Sequence, residues 1–470
     1  MIQKRKRRTT TGTKLLKFFK ETIRADKYDN FVFRDALKIS KELSQLPQLL
    51  EVPTGDTLHK DVFMSFYKMN PKFLPDDEIY PAYRFNKTIL EKAMKTEEFS
   101  QLKQATTLDS IKSTIATIAF TKSVIKALIE KQPKLPRVLN SLKNVNHFDE
   151  KQVSKASKTV QNLAKNIPLN TIKQSLKQSL ETINALDNLA SLGWGSEASS
   201  VSKVPPQERL EIATQLLSSE KFRRLILLVG KFKNVATSAR KSKIHHHKSV
   251  EISGVTVGKN VQNAVLSELA KLGHPLLKFE TIAKLANGKL LQYETKPKTE
   301  LGKGNFIACI DLSGSMSGEK ELWAKAVALA TAVIARKQKR TFALILFSER
   351  VKDVFTFNPK TPPSAADLLK IAETFYGGGT NFEEPLNKAI ELSREVKNSD
   401  ILFITDGECS VSTLFLVKFL DFKKKTDTRL ITVLINTEET ESVKRLSDEI
   451  VSVEDLQRDV EKVFTTIQTR

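Results

Sequence analysis

The sequence predicts a chain in two parts, an all-helical N-terminal half followed by a C-terminal α/β domain, and three observations carry that prediction. Beyond about residue 299, apolar runs rich in β-branched residues, Leu or Phe alternate with amphipathic stretches. That order builds a mostly parallel sheet with helices on both faces. Over the first 300 residues, apolar side chains recur at helical spacing without a comparable strand pattern. The charge changes at the same place: residues 1–300 hold 52 Lys and Arg against 29 Asp and Glu, whereas residues 301–470 hold 24 against 25. The expected domains are therefore a basic helical domain over 1–298 and an α/β domain over 299–470.

In the second half, residues 305–311, 341–347, 400–405 and 429–435 read as buried strands. Helical stretches lie between and after them at 319–337, 365–375, 382–396, 412–424 and 453–467. In the first half, Ile111, Ile115, Ile118 and Ile125 mark one helix, and Ile172, Leu176, Leu180, Ile183 and Leu186 mark another. Pro133, Pro136 and Pro168 punctuate these pieces. The run from Gly193-Trp194-Gly195-Ser196 to Pro205-Pro206 is rich in Gly, Ser and Pro and predicts a subdivision near 193–206. A linker is expected near 239–253, around His245-His246-His247.

With 470 residues, 40% hydrophobic and 28% charged, the composition is globular and excludes collagen-like, disulfide-rich and disordered classes. Two cysteines, Cys309 and Cys409, cannot build a disulfide framework and fit a reducing cytosol. Apolar runs such as 225–229 and 342–347 fall far short of the ~20 residues needed to cross a bilayer. The expected location is cytoplasmic, with peripheral contact at the inner membrane face left open. The net charge of +22 is concentrated in the first half, where it suits a polyanion or merely solvates helix surfaces. The cluster Lys4 to Arg8, followed by Leu15, Leu16, Phe18 and Phe19, reads equally as an anionic-surface anchor, a basic interaction arm or a flexible tail.

Candidate chemistry sits in three loops. Asp311-Leu312-Ser313-Gly314-Ser315 follows the first strand of the α/β half, Gly377-Gly378-Gly379-Thr380 comes next, and Ile404-Thr405-Asp406-Gly407 follows a later strand. Ligands of open α/β sheets bind outside the carboxyl ends of the strands, where all three loops fall. Three hydroxyls (Ser313, Ser315, Thr380) and two carboxylates (Asp311, Asp406) form an oxygen set suited to a hard cation, with Mg²⁺ expected and Mn²⁺ admissible. The glycines allow positive φ and close backbone approach, so that Thr380 reaches the rim.

These three motifs, in this order, resemble a von Willebrand factor A domain with a complete metal-ion-dependent adhesion site, over about residues 300–470. The resemblance implies a Rossmann-like fold and a role for each residue. Ser313 and Ser315 coordinate directly, Thr380 joins in one conformational state, and Asp311 and Asp406 act directly or through water. A second resemblance reaches upstream. Ala264-Val265-Leu266-Ser267-Glu268-Leu269-Ala270 and Leu290-Leu291-Gln292-Tyr293-Glu294, ahead of a C-terminal A domain, look like ViaA-type proteins of the CoxE-like group. Those proteins act with a MoxR-type AAA+ ATPase.

Other motifs carry less. Gly254-Val255-Thr256-Val257-Gly258-Lys259-Asn260 lacks the spacing and the Ser or Thr of a Walker A loop, so nucleotide hydrolysis by this chain is not expected. No histidine occurs beyond His274, and no nucleophile–base pair is evident, so no catalytic residue is assigned. The expected function is a metal-dependent protein-binding adaptor rather than an enzyme. Its implied partners are a MoxR-type AAA+ ATPase and a client protein complex, in chaperone-like remodelling or maturation. The competing reading is a nucleic-acid or anionic-membrane protein that uses the basic half.

Overall fold

In the computed structural model the described residues are 18–50, 52–143, 150–165, 167–192, 205–244, 250–297, 304–393, 398–407, 409–437 and 441–467. The Lys4 to Arg8 cluster, Leu15, Leu16, Trp194 and the His245 to His247 triplet lie outside them. The chain divides into two compact units, one of residues 1–230 with 362–373 and one of residues 231–361 with 374–470. The change of composition near residue 300 coincides with the start of the main sheet at Phe306.

The first unit is helical. Its helices are α1 (Lys27–Ile39), α2 (Lys41–Leu49), α3 (Gly55–Tyr67), α4 (Arg84–Met94), α5 (Glu97–Thr106), α6 (Ser110–Lys131), α7 (Leu135–Lys143), α8 (Glu150–Lys165), α9 (Leu169–Leu192) and α10 (Pro206–Ser218). The following helix, α11 (Glu220–Ile244), contains the division between the units. Asp109 starts α6 by accepting the backbone N–H groups of Ile111 and Lys112, the orphan donors of a helix start. α6 packs on α3 and α9, and its buried Thr114 and Thr117 satisfy their hydroxyls on backbone carbonyls four residues back. Phe63, Phe66, Phe85 and Phe120 are fully buried here, each contributing on the order of 1.5–3 kcal/mol over an exposed ring.

In chain order, between α11 and the first strand of the main sheet, comes a feature the sequence did not predict. β1 (Val250–Gly258) and β2 (Leu290–Pro297) form an antiparallel ribbon, with α12 (Leu266–Leu272) and α13 (Leu277–Ala286) between them. The expectation of an all-helical stretch up to residue 298 fails here. The stretch with the look of a phosphate loop, Gly254 to Asn260, is the second half of β1 and its exit.

The main sheet has six strands: β3 (Phe306–Asp311), β4 (Phe342–Phe347), β5 (Val351–Phe357), β6 (Asp400–Thr405), β7 (Arg429–Ile435) and β8 (Glu449–Val453). Their spatial order is β5-β4-β3-β6-β7-β8, all parallel except β5. The helices are α14 (Glu319–Lys337), α15 (Ala365–Glu373), α16 (Glu383–Ser393), α17 (Thr413–Thr426), α18 (Glu441–Leu446) and α19 (Val460–Ile467). β3, β4 and β6 are buried at every position, because both faces are covered. α14 is buried almost all round, and six alanines between Ala324 and Ala335 allow its close packing. Trp323 is buried and donates its indole N–H to the Leu456 carbonyl at 2.5 Å. From β3 the chain goes to β4 on one side and later returns to β6 on the other, which opens a switch point at the carboxyl ends of β3 and β6. Among the described residues no helix is long and apolar enough to cross a membrane.

Candidate metal centre

Asp311 ends β3 and Thr405 ends β6, the two central strands on either side of the switch point. Paired neighbours hold both strands, so the side chains beyond them project from a rigid edge. Backbone hydrogen bonds then join the loops: Leu312 N–H to the Phe347 carbonyl (2.7 Å), Gly377 N–H to the Leu312 carbonyl (3.0 Å) and Gly314 N–H to the Gly378 carbonyl (3.1 Å). Gly377 and Gly378 take φ of +66° and +87°, a region L side chains avoid, and this turn brings Thr380 back over the strand end.

All five predicted residues meet. The Asp311 carboxylate accepts the Ser313 N–H at 2.9 Å on one oxygen and the Thr380 hydroxyl at 3.4 Å on the other. The Ser313 and Ser315 hydroxyl oxygens lie 3.2 Å apart, and Ser315 donates to Asp406 Oδ1 at 2.7 Å. Asp311, Ser313 and Asp406 are buried, Thr380 is half-buried and Ser315 is exposed, so the cluster has a closed floor and an open mouth. At Gly407 an added Cβ would lie 3.3 Å from the Thr380 hydroxyl and 3.8 Å from Asp311 Oδ2, so any side chain there crowds the cluster.

Two further residues belong to the cluster, and motif reasoning gave neither a role. Thr405 donates its hydroxyl to Asp311 Oδ2 at 2.6 Å, and Lys320, on the first turn of α14, places its ammonium 2.5 Å from Asp406 Oδ2. A hydroxyl at a strand end could have been suspected from the Ile-Thr-Asp-Gly motif. Nothing in the spacing marks Lys320. Cys409 is half-buried with its thiol on the Ser410 carbonyl at 3.4 Å.

Burial pushes the Asp311 carboxyl above its ordinary value. The Thr405 hydroxyl and the Ser313 N–H oppose that shift, and the neighbouring Asp406 charge reinforces it. Hydroxyl and backbone dipoles thus leave Asp311 incompletely compensated, a condition a divalent cation relieves. The donors are all oxygen, and the described residues contain no group of three or more His, Cys, Asp or Glu placed to hold a metal ion. The set fits a small hard divalent ion held by Asp311, Ser313, Ser315, Thr380 and Asp406. Behind it, the buried Lys325 pairs with Glu321 and donates to the Thr374 carbonyl at 2.6 Å, fixing the chain that leads into the glycine turn.

Residues 306–408, which include all five, match the family model of the von Willebrand factor type A domain. The uncharacterized protein MJ0811 of Methanocaldococcus jannaschii is 32% identical over 454 residues, covering 95% of this chain and 100% of its own. The chain belongs to the family of that protein and carries a von Willebrand factor A domain. A second uncharacterized protein of the same organism, MJ0077, is 31% identical over 444 residues, covering 94% of this chain and 99% of its own. Among solved structures, proximal thread matrix protein 1 from the mussel byssus, with a zinc-occupied MIDAS motif, is similar at 15% identity and a TM-score of 0.26. It covers 35% of this chain, and the chain spans about half of it, 47%. BatB from Bacteroides thetaiotaomicron gives 15% identity and a TM-score of 0.26, over 35% of this chain and 97% of its own. The candidate centre thus lies within the stretch that matches the family model.

Proposed function

We propose that the A domain is a metal-dependent protein-binding module in which Asp311, Ser313, Ser315, Thr380 and Asp406 hold one Mg²⁺, with Mn²⁺ as substitute. The observation that carries this reading is the meeting of two buried carboxylates and three hydroxyls at the sheet's switch point, open on the Ser315 side. A bound Mg²⁺ supplies an electrophilic position that an acidic side chain of a partner can fill. The chain's own groups do the rest. The two strand ends fix the carboxylates, the glycine turn presents Thr380, and burial of Asp311 and Asp406 strengthens every charge interaction at the mouth. In the same proposal the protein is a cytoplasmic adaptor, not an enzyme. It acts with a MoxR-type AAA+ ATPase on a client complex, and the helical half holds a second partner.

The nucleic-acid and anionic-membrane reading draws only on the positive charge of residues 1–300. Many of those lysines are paired within the helical unit, among them Lys60 with Glu21, Lys68 with Asp29, Lys112 with Asp187 and Lys122 with Glu42. A solvated, interleaved surface accounts for them. The test is affinity capture from lysate of the native host with the full chain as bait. Magnesium should permit recovery of an AAA+ ATPase, identified by mass spectrometry, and EDTA, Asp311→Ala and Ser313→Ala should each abolish it. Equal recovery under all four conditions would remove the rim as the docking site.

A further inference from the structure

Lys320 occupies a position that the local chemistry does not favour. It is the second residue of α14, and the residues on either side, Glu319 and Glu321, have the acidic character a helix N-terminus prefers. A cation there works against the helix dipole, so its placement needs another cause. Asp406 supplies one: its Oδ2 lies 2.5 Å from the Lys320 ammonium while its Oδ1 takes the Ser315 hydroxyl. The Asp406 side chain is 1% exposed and that of Lys320 29%, so the carboxylate is fixed whereas the ammonium borders solvent and can withdraw into it. Two other acids are tied to loop backbone. Glu349 accepts the Gly379 N–H at 3.1 Å, and Glu383 accepts the Ser412 N–H at 2.6 Å. Lys320 thus meets a candidate metal ligand, Asp406, directly.

We propose that Lys320 is a resident counter-cation of the rim, which holds Asp406 when no divalent ion is present, weakens the site's affinity for that ion and supplies the extra positive charge that selects an anionic ligand. This inference rests on the metal-site reading above. Its charge arithmetic is simple. Asp311 and Asp406 carry two negative charges, which a divalent ion balances, and Lys320 adds one positive charge. An approaching carboxylate then meets a net attraction. A site without the lysine would be neutral, would bind the ion more firmly and would attract the carboxylate less.

The experiment is an Mn²⁺ titration of the full chain, with free Mn²⁺ read by electron paramagnetic resonance, on wild type, Lys320→Met, Lys320→Gln, Lys320→Arg and Asp311→Ala. Circular dichroism serves as the check on folding. Lys320→Met and Lys320→Gln should bind Mn²⁺ roughly tenfold more tightly, the scale expected for removing a unit charge a few ångströms from a divalent ion in a partly screened site. Lys320→Arg should stay near wild type. In the Mn²⁺-loaded proteins, displacement of metal-bound water by glutarate, read from water-proton relaxation, should need several-fold more glutarate in Lys320→Met than in wild type. Unchanged or weaker Mn²⁺ affinity in the folded Met and Gln variants, with Asp311→Ala still abolishing binding, overturns the role of Lys320 and leaves the metal site standing. Failure of the wild type to bind Mn²⁺, or full binding by Asp311→Ala, overturns both readings.

Discussion

Asp61 in the helical unit and Asp311 in the A domain are buried to the same degree, and the chain uses them in opposite ways. Asp61 stands on α3 and accepts the N–H groups of Thr22 and Ile23 at 2.9 and 3.2 Å, which pins the N-terminal segment to the helix. Its second oxygen has no hydrogen-bond partner among the described residues. Asp311 has a donor on each oxygen and a second carboxylate beside it, at the end of a central parallel strand. Depth in the fold therefore does not mark a functional carboxylate. What separates the two is the company each keeps: the backbone donors of a neighbouring segment that cover Asp61, and a cluster of hydroxyl donors with an open mouth at Asp311.

The comparison can be broken first at Asp61, where the largest change in stability is expected. Desolvation pushes its carboxyl up to about 7 from an ordinary 3.8. The folded chain thus keeps a proton that the unfolded chain has already lost. Stability from this group is fully present below about pH 4 and disappears as the pH rises through about 7, a swing of up to about 4 kcal/mol. Urea unfolding of wild type at pH 5 and pH 8 should show the decline. Asp61→Asn, which keeps the acceptor and removes the charge, should flatten it while leaving metal binding intact.

A smaller effect, about 1–2 kcal/mol, is expected at the glycine turn. Gly378→Ala forces an L side chain to a φ of +87°. Its Cβ has ordinary clearance, with Glu349 at 3.5 Å, so the cost is backbone strain. Because that turn presents Thr380, Gly378→Ala should lower both the melting temperature and the Mg²⁺ affinity. Gly314→Ala, whose nearest neighbour would be 3.8 Å away, should leave stability nearly unchanged.

The legibility of the chain follows the same physical lines. The four strands read from sequence lie inside the sheet with both faces covered, so each is a continuous apolar run. β5 escaped because it is an antiparallel edge whose burial alternates, with Lys352 and Asp353 among its residues. β8 is an edge of five residues, too short to stand out. The β1–β2 ribbon hides for another reason: Val255 and Val257 are exposed, and no core imposes a strand pattern on it. Within the centre, Asp311, Ser313, Ser315, Thr380 and Asp406 were legible because short motifs hold them in fixed relation to strand ends. Lys320 reaches Asp406 across 86 residues, and Thr405 reaches Asp311 across 94, so their contacts exist only once β3, β6 and α14 have assembled.

The central claim is that the hydroxyl and carboxylate cluster of the A domain is a divalent-cation site, and calorimetric titration of the full chain with Mg²⁺ tests it most directly. Wild type should bind one Mg²⁺ per chain. Asp311→Ala should lose more than the roughly 10–100-fold in affinity that follows loss of an outer-sphere partner, since a ligand itself is gone. Absence of Mg²⁺ binding by wild type, or an unchanged affinity in Asp311→Ala, would contradict the assignment.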